Sequence, residues 1–104
     1  MVTPAQGEVW WAETEERKRR PVVVVTRSSA VPVLNAVLVA PVTRTVRRIP
    51  TEIPLDERDG LAQPCAASFD NLQLVPRSLL IERVGALRRP RAEICRALSA
   101  LADC

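Results

Sequence analysis

The sequence predicts a mainly β protein that ends in a single C-terminal α-helix, built as a strongly bent sheet or small barrel capped by that helix. Three observations carry this. Short β-rich apolar runs recur between polar loops from residue 8 to residue 84. The chain is 47% apolar but holds only three aromatic residues, Trp10, Trp11 and Phe69, so Val, Leu, Ile and Ala must build the core. After Pro90 the apolar period changes, with Ile94, Leu98 and Leu101 at i, i+4 and i+7. A chain of 104 residues can bury about two-thirds of its unfolded surface, so one domain over residues 1–104 needs no staples.

Taken in order, residues 8–12 (EVWWA) follow Gly7 and read as a first strand. Residues 13–20 are charged and read as a loop. Residues 22–26 (VVVVT) are β-branched throughout and bounded by Pro21 and Ser28-Ser29, the signature of a buried strand. Residues 34–42 (LNAVLVAPV) form another β-rich run, in which Pro41 predicts an edge position or a bulge. A basic loop spans 43–48. A short strand follows at 51–55, then a turn at 56–63 around Asp59-Gly60. Residues 66–74 read as one strand, or as two with a kink at Asp70-Asn71, and 79–84 as the last strand, ended by Gly85. Pro90 sits where a first helical turn tolerates proline. The helix behind it should run three to four turns.

The absences in the composition exclude whole classes of chemistry. There is no His and no Tyr. A His general base, a Ser-His-Asp triad and a His-ligated metal are therefore impossible. Cys65, Cys95 and Cys104 are odd in number and lack CxxC spacing, which argues against a disulfide framework and a zinc site. No signal peptide and no membrane-length apolar run is evident, so the expectation is a cytoplasmic protein. The 15 basic and 12 acidic residues leave a net charge of +3, which permits a nucleic-acid partner without requiring one. Fourteen of the basic residues are Arg.

Two basic clusters are candidate phosphate sites. Arg17, Lys18, Arg19 and Arg20 lead into the valine strand, either as a solvated loop or as a phosphate-binding edge diluted by Glu13, Glu15 and Glu16. Arg44, Arg47 and Arg48 interleave with Thr43 and Thr45 and meet no acid before Glu52. Trp10 and Trp11 must point to opposite faces of their strand, one inward and the other toward a base or a subunit. Asp70-Asn71 interrupts an apolar strand, as a bulge or turn or as a pair that reads base edges. Cys65 and Cys95 read as small core residues.

These pieces together resemble the MazF/PemK-like mRNA interferase toxins. The resemblance rests on GEVWW at 7–11, RPVVVV at 20–25, VAPVT at 39–43, IPTEI at 49–53, SFDN at 68–71 and LIERVG at 80–85. It implies a small SH3-like barrel of the plasmid-maintenance toxin (CcdB/PemK-like) type. It further implies a homodimer, a cognate antitoxin partner, and sequence-selective cleavage of single-stranded RNA without a metal or other cofactor. By the same resemblance Arg20 and Thr43 are catalytic, the first loop with Arg17, Lys18 and Arg19 shapes the RNA channel, and Asp70 and Asn71 lie near the RNA groove. The chain departs from the family in its first loop. A G-S-E-Q-x-G-like stretch is missing, and Glu15 and Glu16 stand in its place as the candidate proton acceptors.

This chemistry suits a chain without histidine, because RNA carries its own nucleophile, the 2′-OH. The protein must hold the strand in line, stabilise the negative phosphorane and manage two protons. Arg20 supplies a fixed charge-assisted donor and Thr43 a hydroxyl donor to the same phosphoryl oxygen. A guanidinium scarcely deprotonates near neutrality, so Arg20 is expected to stabilise charge and donate to the leaving 5′-oxygen. The products would be a 2′,3′-cyclic phosphate and a 5′-OH. The competing expectation is a protein-binding toxin on the same barrel, like the CcdB-like gyrase poisons. Those rely on a C-terminal Trp, and this chain has none beyond position 11.

Overall fold

The computed structural model describes residues 3–13 and 18–102. Seven strands, β1 (Glu8–Glu13), β2 (Arg19–Val24), β3 (Ala36–Thr43), β4 (Glu52–Leu55), β5 (Cys65–Ser68), β6 (Gln73–Pro76) and β7 (Leu80–Ala86), precede one helix, α1 (Pro90–Ala102). All pairings are antiparallel, in the order β4-β5-β3-β2-β1-β7, with β6 pairing with β3 beside that path. The sheet curls into a half-barrel. Two register shifts in the β1–β7 pair, at Val9/Trp10 and Trp11/Ala12, add twist at one end of the curl.

Alternation along β2 and β3 explains the unbroken apolar runs. Val23 and Val25 join Val9, Ala40, Ile53, Phe69, Ile94 and Ala97 in one core layer. Val22 and Val24 face the other way and join Trp10, Ala12, Val31, Val37, Val39 and Leu80. A strand buried on both faces has no polar side to alternate with. The helix covers the first layer through Ile94 and Ala97, with Leu98 partly buried beside them and Leu101 40% exposed. The short strip around Val31 closes the second layer.

Several expectations change in detail. The first loop is shorter than read, because β1 runs through Glu13 and β2 starts at Arg19. The last strand continues past Gly85 to Ala86. The 66–74 segment divides into β5 and β6 at a 3-10 turn over Phe69–Asn71. Pro41 is not on an edge strand: β3 is interior, and Pro41 pairs with Val22 in an unshifted register. On its other side β3 pairs with β6 through residues 36–39 and with β5 through 42–43. Pro41 lies in the gap where one partner hands over to the next, a position where an absent N–H disturbs no ladder on that side.

The turn after β4 is tightly specified. Asp56 accepts from Arg58 N at 2.9 Å, and Asp59 returns an acceptor to Asp56 N at 3.0 Å, closing a capping box. Gly60 then adopts φ +95°, and a Cβ there would collide with the Val84 carbonyl of β7. Glycine alone fits both the backbone angle and the close approach.

Candidate RNA-binding and catalytic site

β2 positions Arg20. Its register sets Ala12 opposite Arg20 and Glu13 opposite Arg19. Along β2, Arg20 continues the face of buried Val22 and Val24, but it stands beyond the core and is exposed. It lines a concavity of about 440 Å³ together with Ala12, Glu13, Lys18, Gln73 and Leu74. Leu74 is 71% exposed, an apolar side chain left on the wall of a charged hollow.

Thr43 ends β3, where it pairs with Ala66 and is half-buried. Its Oγ1 accepts from Thr45 N at 3.1 Å, which turns the chain into the basic loop. It lines a second concavity of about 410 Å³ with Trp11, Arg19, Arg44, Leu61, Gln63 and Cys65. The Val22–Pro41 register, continued by two residues, sets Arg20 level with Thr43 at the same end of neighbouring strands. Cross-strand neighbours project from the same face of a sheet, so this register turns both side chains to one side, although Arg20 borders the first hollow and Thr43 the second.

Trp10 and Trp11 divide as their adjacency requires. Trp10 is 5% exposed, with Nε1 donating to Glu8 Oε1 at 3.2 Å. Trp11 is half-buried and forms the apolar wall of the Thr43 hollow. Arg44 joins that hollow, whereas Arg47 and Arg48 stand on the exposed loop outside both. Arg47 N and Arg48 N donate to Glu52 Oε1 at 2.9 and 3.1 Å.

Asp70 and Asn71 line neither hollow. Both are exposed, and both are tied into the turn between β5 and β6. Thr51 Oγ1 donates to Asp70 Oδ2 at 2.6 Å, and Asn71 Nδ2 donates to Ser68 Oγ at 2.9 Å. The turn reading therefore accounts for their position. Glu15, Glu16 and Arg17 lie outside the described residues.

Sequence reading missed Glu13, Gln73, Gln63 and Glu52. Glu13 shares the hollow of Arg20; the sequence placed it in the charged loop, as an acid diluting the basic cluster. Gln73 and Gln63 reach the hollows only because β6 and the turn before β5 fold beside β3, which no local pattern reports. Cys65 was read as core and is 4% exposed, although it borders the Thr43 hollow. Burial pushes its thiol up, and the charges of Asp59 and Asp56 push it further. It is a poor nucleophile at neutral pH.

The curled antiparallel sheet carries Arg19, Arg20, Thr43 and Arg44 together at the open end of β2 and β3. The chain belongs to the PemK-like, MazF-like toxins of type II toxin–antitoxin systems, whose family model matches residues 5–102. It is 43% identical over 104 aligned residues to "Probable endoribonuclease MazF5" of Mycobacterium tuberculosis, covering 97% of this chain and 94% of that one. The solved structure of Mycobacterium tuberculosis toxin MazF-mt6 superposes with a TM-score of 0.83 at 36% identity, covering 92% of this chain and 96% of that one. A mycobacterial endoribonuclease solved in complex with its cognate antitoxin shares the fold at a TM-score of 0.78 and 22% identity, covering 95% of each chain.

Proposed function

We propose that this chain, as one toxin domain over residues 1–104, is a sequence-selective endoribonuclease that cleaves single-stranded RNA and is silenced by a cognate antitoxin. The family match and the endoribonuclease relatives support the activity. The observation that carries the site is the arrival of Arg20 and Thr43 at the same end of adjacent strands, with a basic side chain beside each. The relatives weigh against the gyrase-poison alternative. The expected form is a cytoplasmic homodimer that needs no cofactor. No helix among the described residues is long and apolar enough to cross a membrane.

The scissile phosphate lies at the shared end of β2 and β3, on the face to which Arg20 and Thr43 both project. The 2′-OH of the preceding nucleotide attacks phosphorus, and the bond to the 5′-oxygen breaks to leave a 2′,3′-cyclic phosphate and a 5′-OH. Arg20 neutralises the developing phosphorane and hydrogen-bonds to the leaving 5′-oxygen, which takes its proton from water, while the Thr43 hydroxyl donates to a phosphoryl oxygen. A carboxylate of the first loop, Glu15 or Glu16, or a phosphate oxygen receives the 2′-OH proton. Lys18 and Arg19, with Arg17, guide the strand along the first loop. Arg44, Arg47 and Arg48 hold phosphates on the far side. Asp70 and Asn71 stand where the chain enters β6, whose Gln73 and Leu74 wall the Arg20 hollow, and they contact bases at the groove's margin.

End-group analysis of cleaved RNA tests this. The 3′ fragment should accept phosphate from polynucleotide kinase without prior phosphatase treatment, and the 5′ fragment should carry a cyclic phosphate. Arg20→Ala should slow cleavage by about 100-fold or more and Thr43→Val by about tenfold or more. A 5′-phosphate product, or an unchanged rate in Arg20→Ala, would contradict the reading.

A further inference from the structure

We propose that Glu52 is a positioning residue for RNA: its buried carboxylate fixes the backbone of Arg47 and Arg48 and so aims their guanidinium groups at phosphates of the bound strand. The inference rests on the RNA-cleaving reading above. Glu52 opens β4 and is 4% exposed. One oxygen, Oε1, accepts both loop amides, Arg47 N at 2.9 Å and Arg48 N at 3.1 Å. Two successive amides on one anionic oxygen form the kind of concavity that backbone nests offer to anions, here filled from inside the fold.

Stability alone does not account for this carboxylate. Among the described residues, its other oxygen, Oε2, is buried without a hydrogen-bond partner. A buried carboxylate with half of its acceptor capacity unused is costlier than an apolar side chain of similar volume. The turn also has other fastenings. Glu52 N donates to Ile49 O at 3.0 Å, and Arg96 of α1 donates to the carbonyls of Pro50 and Glu52 at 3.1 and 3.3 Å. What the carboxylate adds is control of the segment upstream of that turn. Arg48 is held at φ 57°, a left-handed angle that a non-glycine residue adopts only when its surroundings impose it. Both Arg47 and Arg48 are exposed, so the backbone anchor is buried while the side chains it carries face solvent.

The test uses full-length protein and an oligoribonucleotide that the wild type cleaves, with its fully 2′-O-methylated copy as the uncleavable ligand. Steady-state kinetics and a salt series of binding constants are measured for Glu52→Leu, Glu52→Gln, Arg47→Ala/Arg48→Ala, and Glu52→Leu on the double-alanine background. Glu52→Leu should raise KM about tenfold with kcat within about twofold, the pattern of lost uniform binding. Its log–log salt slope should fall by about 1.4, roughly 0.7 for each phosphate contact on a single strand. Glu52→Gln keeps an oxygen for both amides and should rescue KM to within about twofold of wild type. On the double-alanine background, Glu52→Leu should add less than about twofold, because the residues it aims are gone.

An unchanged salt slope overturns the proposal, as does a tenfold loss that adds in full to that of the double-alanine variant. If Glu52→Leu does not fold, Glu52→Asp, one methylene too short to reach both amides, is read by the same criteria. A wild type that neither cleaves nor binds RNA removes the RNA-cleaving reading and this proposal together. Cleavage by wild type with additive losses removes the proposal alone.

Discussion

Glu8 fastens the first strand to two neighbours with one carboxylate. Its Oε1 accepts from Ala5 N at 2.6 Å and from Trp10 Nε1 at 3.2 Å, and Oε2 accepts from Arg83 Nε of β7 at 2.6 Å. Burial pushes this carboxyl up, but the bonds from Ala5, Arg83 and Trp10 and the charge of Arg83 together outweigh it, so it rests below its ordinary value. A lowered folded pKa contributes stability that is present above the unfolded value, about 4.3, and is lost as pH falls through the folded one. The melting-temperature difference between wild type and Glu8→Gln should therefore hold constant above about pH 5 and shrink below about pH 4. A difference that grows on acidification would contradict the assignment. The gain is modest, because Arg83 is half-exposed. At the same scale, Cys65 and Cys95 should separate in alkylation. Exposed Cys95 should react with iodoacetamide in the native state, and buried Cys65, with its raised pKa, only after unfolding, as peptide mass mapping would report.

Elements carry most of what the sequence made legible. The four valines of 22–25 had to be a strand buried on both faces, and the Ile94/Leu98 spacing had to be a helix lying on the sheet. What remained hidden was non-local. Pro41 argued for an edge because local rules do not reveal that β3 changes partner there, from β6 to β5. Arg20 and Thr43 were singled out through the family resemblance, but that β2 and β3 bring them to one end of the sheet is a matter of register, which no local pattern reports. Glu52 had no sequence signal as an anchor, because its bonds go to backbone amides, which every residue has. Two substitutions test the elements. Ile94→Ala removes the 1%-exposed side chain that docks α1 and should cost about 2–4 kcal/mol in denaturant melts. Gly60→Ala should cost at least about 1–2 kcal/mol, since φ +95° and the Val84 carbonyl both oppose a Cβ. A neutral result at position 60 would mean that the turn relaxes away from β7.

At the scale of the whole molecule, the fold is a division of labour between two core layers and one open end. The helix-covered layer and the Trp10 layer hold β2 and β3 rigidly from both sides. Their common end, where the core runs out, is where Arg19, Arg20, Thr43 and Arg44 emerge. A net charge of +3 is small, so attraction for RNA depends on where the arginines stand rather than on their number. In the proposed reaction, Arg20 on a rigid strand end gives the reacting phosphate a fixed geometry.

In the proposed reaction the RNA's own 2′-OH is the nucleophile and Arg20 stabilises the charge it creates. The most direct measurement incubates a mixed-sequence single-stranded RNA and its all-deoxy copy with purified, antitoxin-free protein in excess EDTA, wild type beside Arg20→Ala. Wild type should cleave the RNA and leave the deoxy copy intact, and Arg20→Ala should be slower by about 100-fold or more. Cleavage of the deoxy strand, or equal rates for the two proteins, would contradict that reaction.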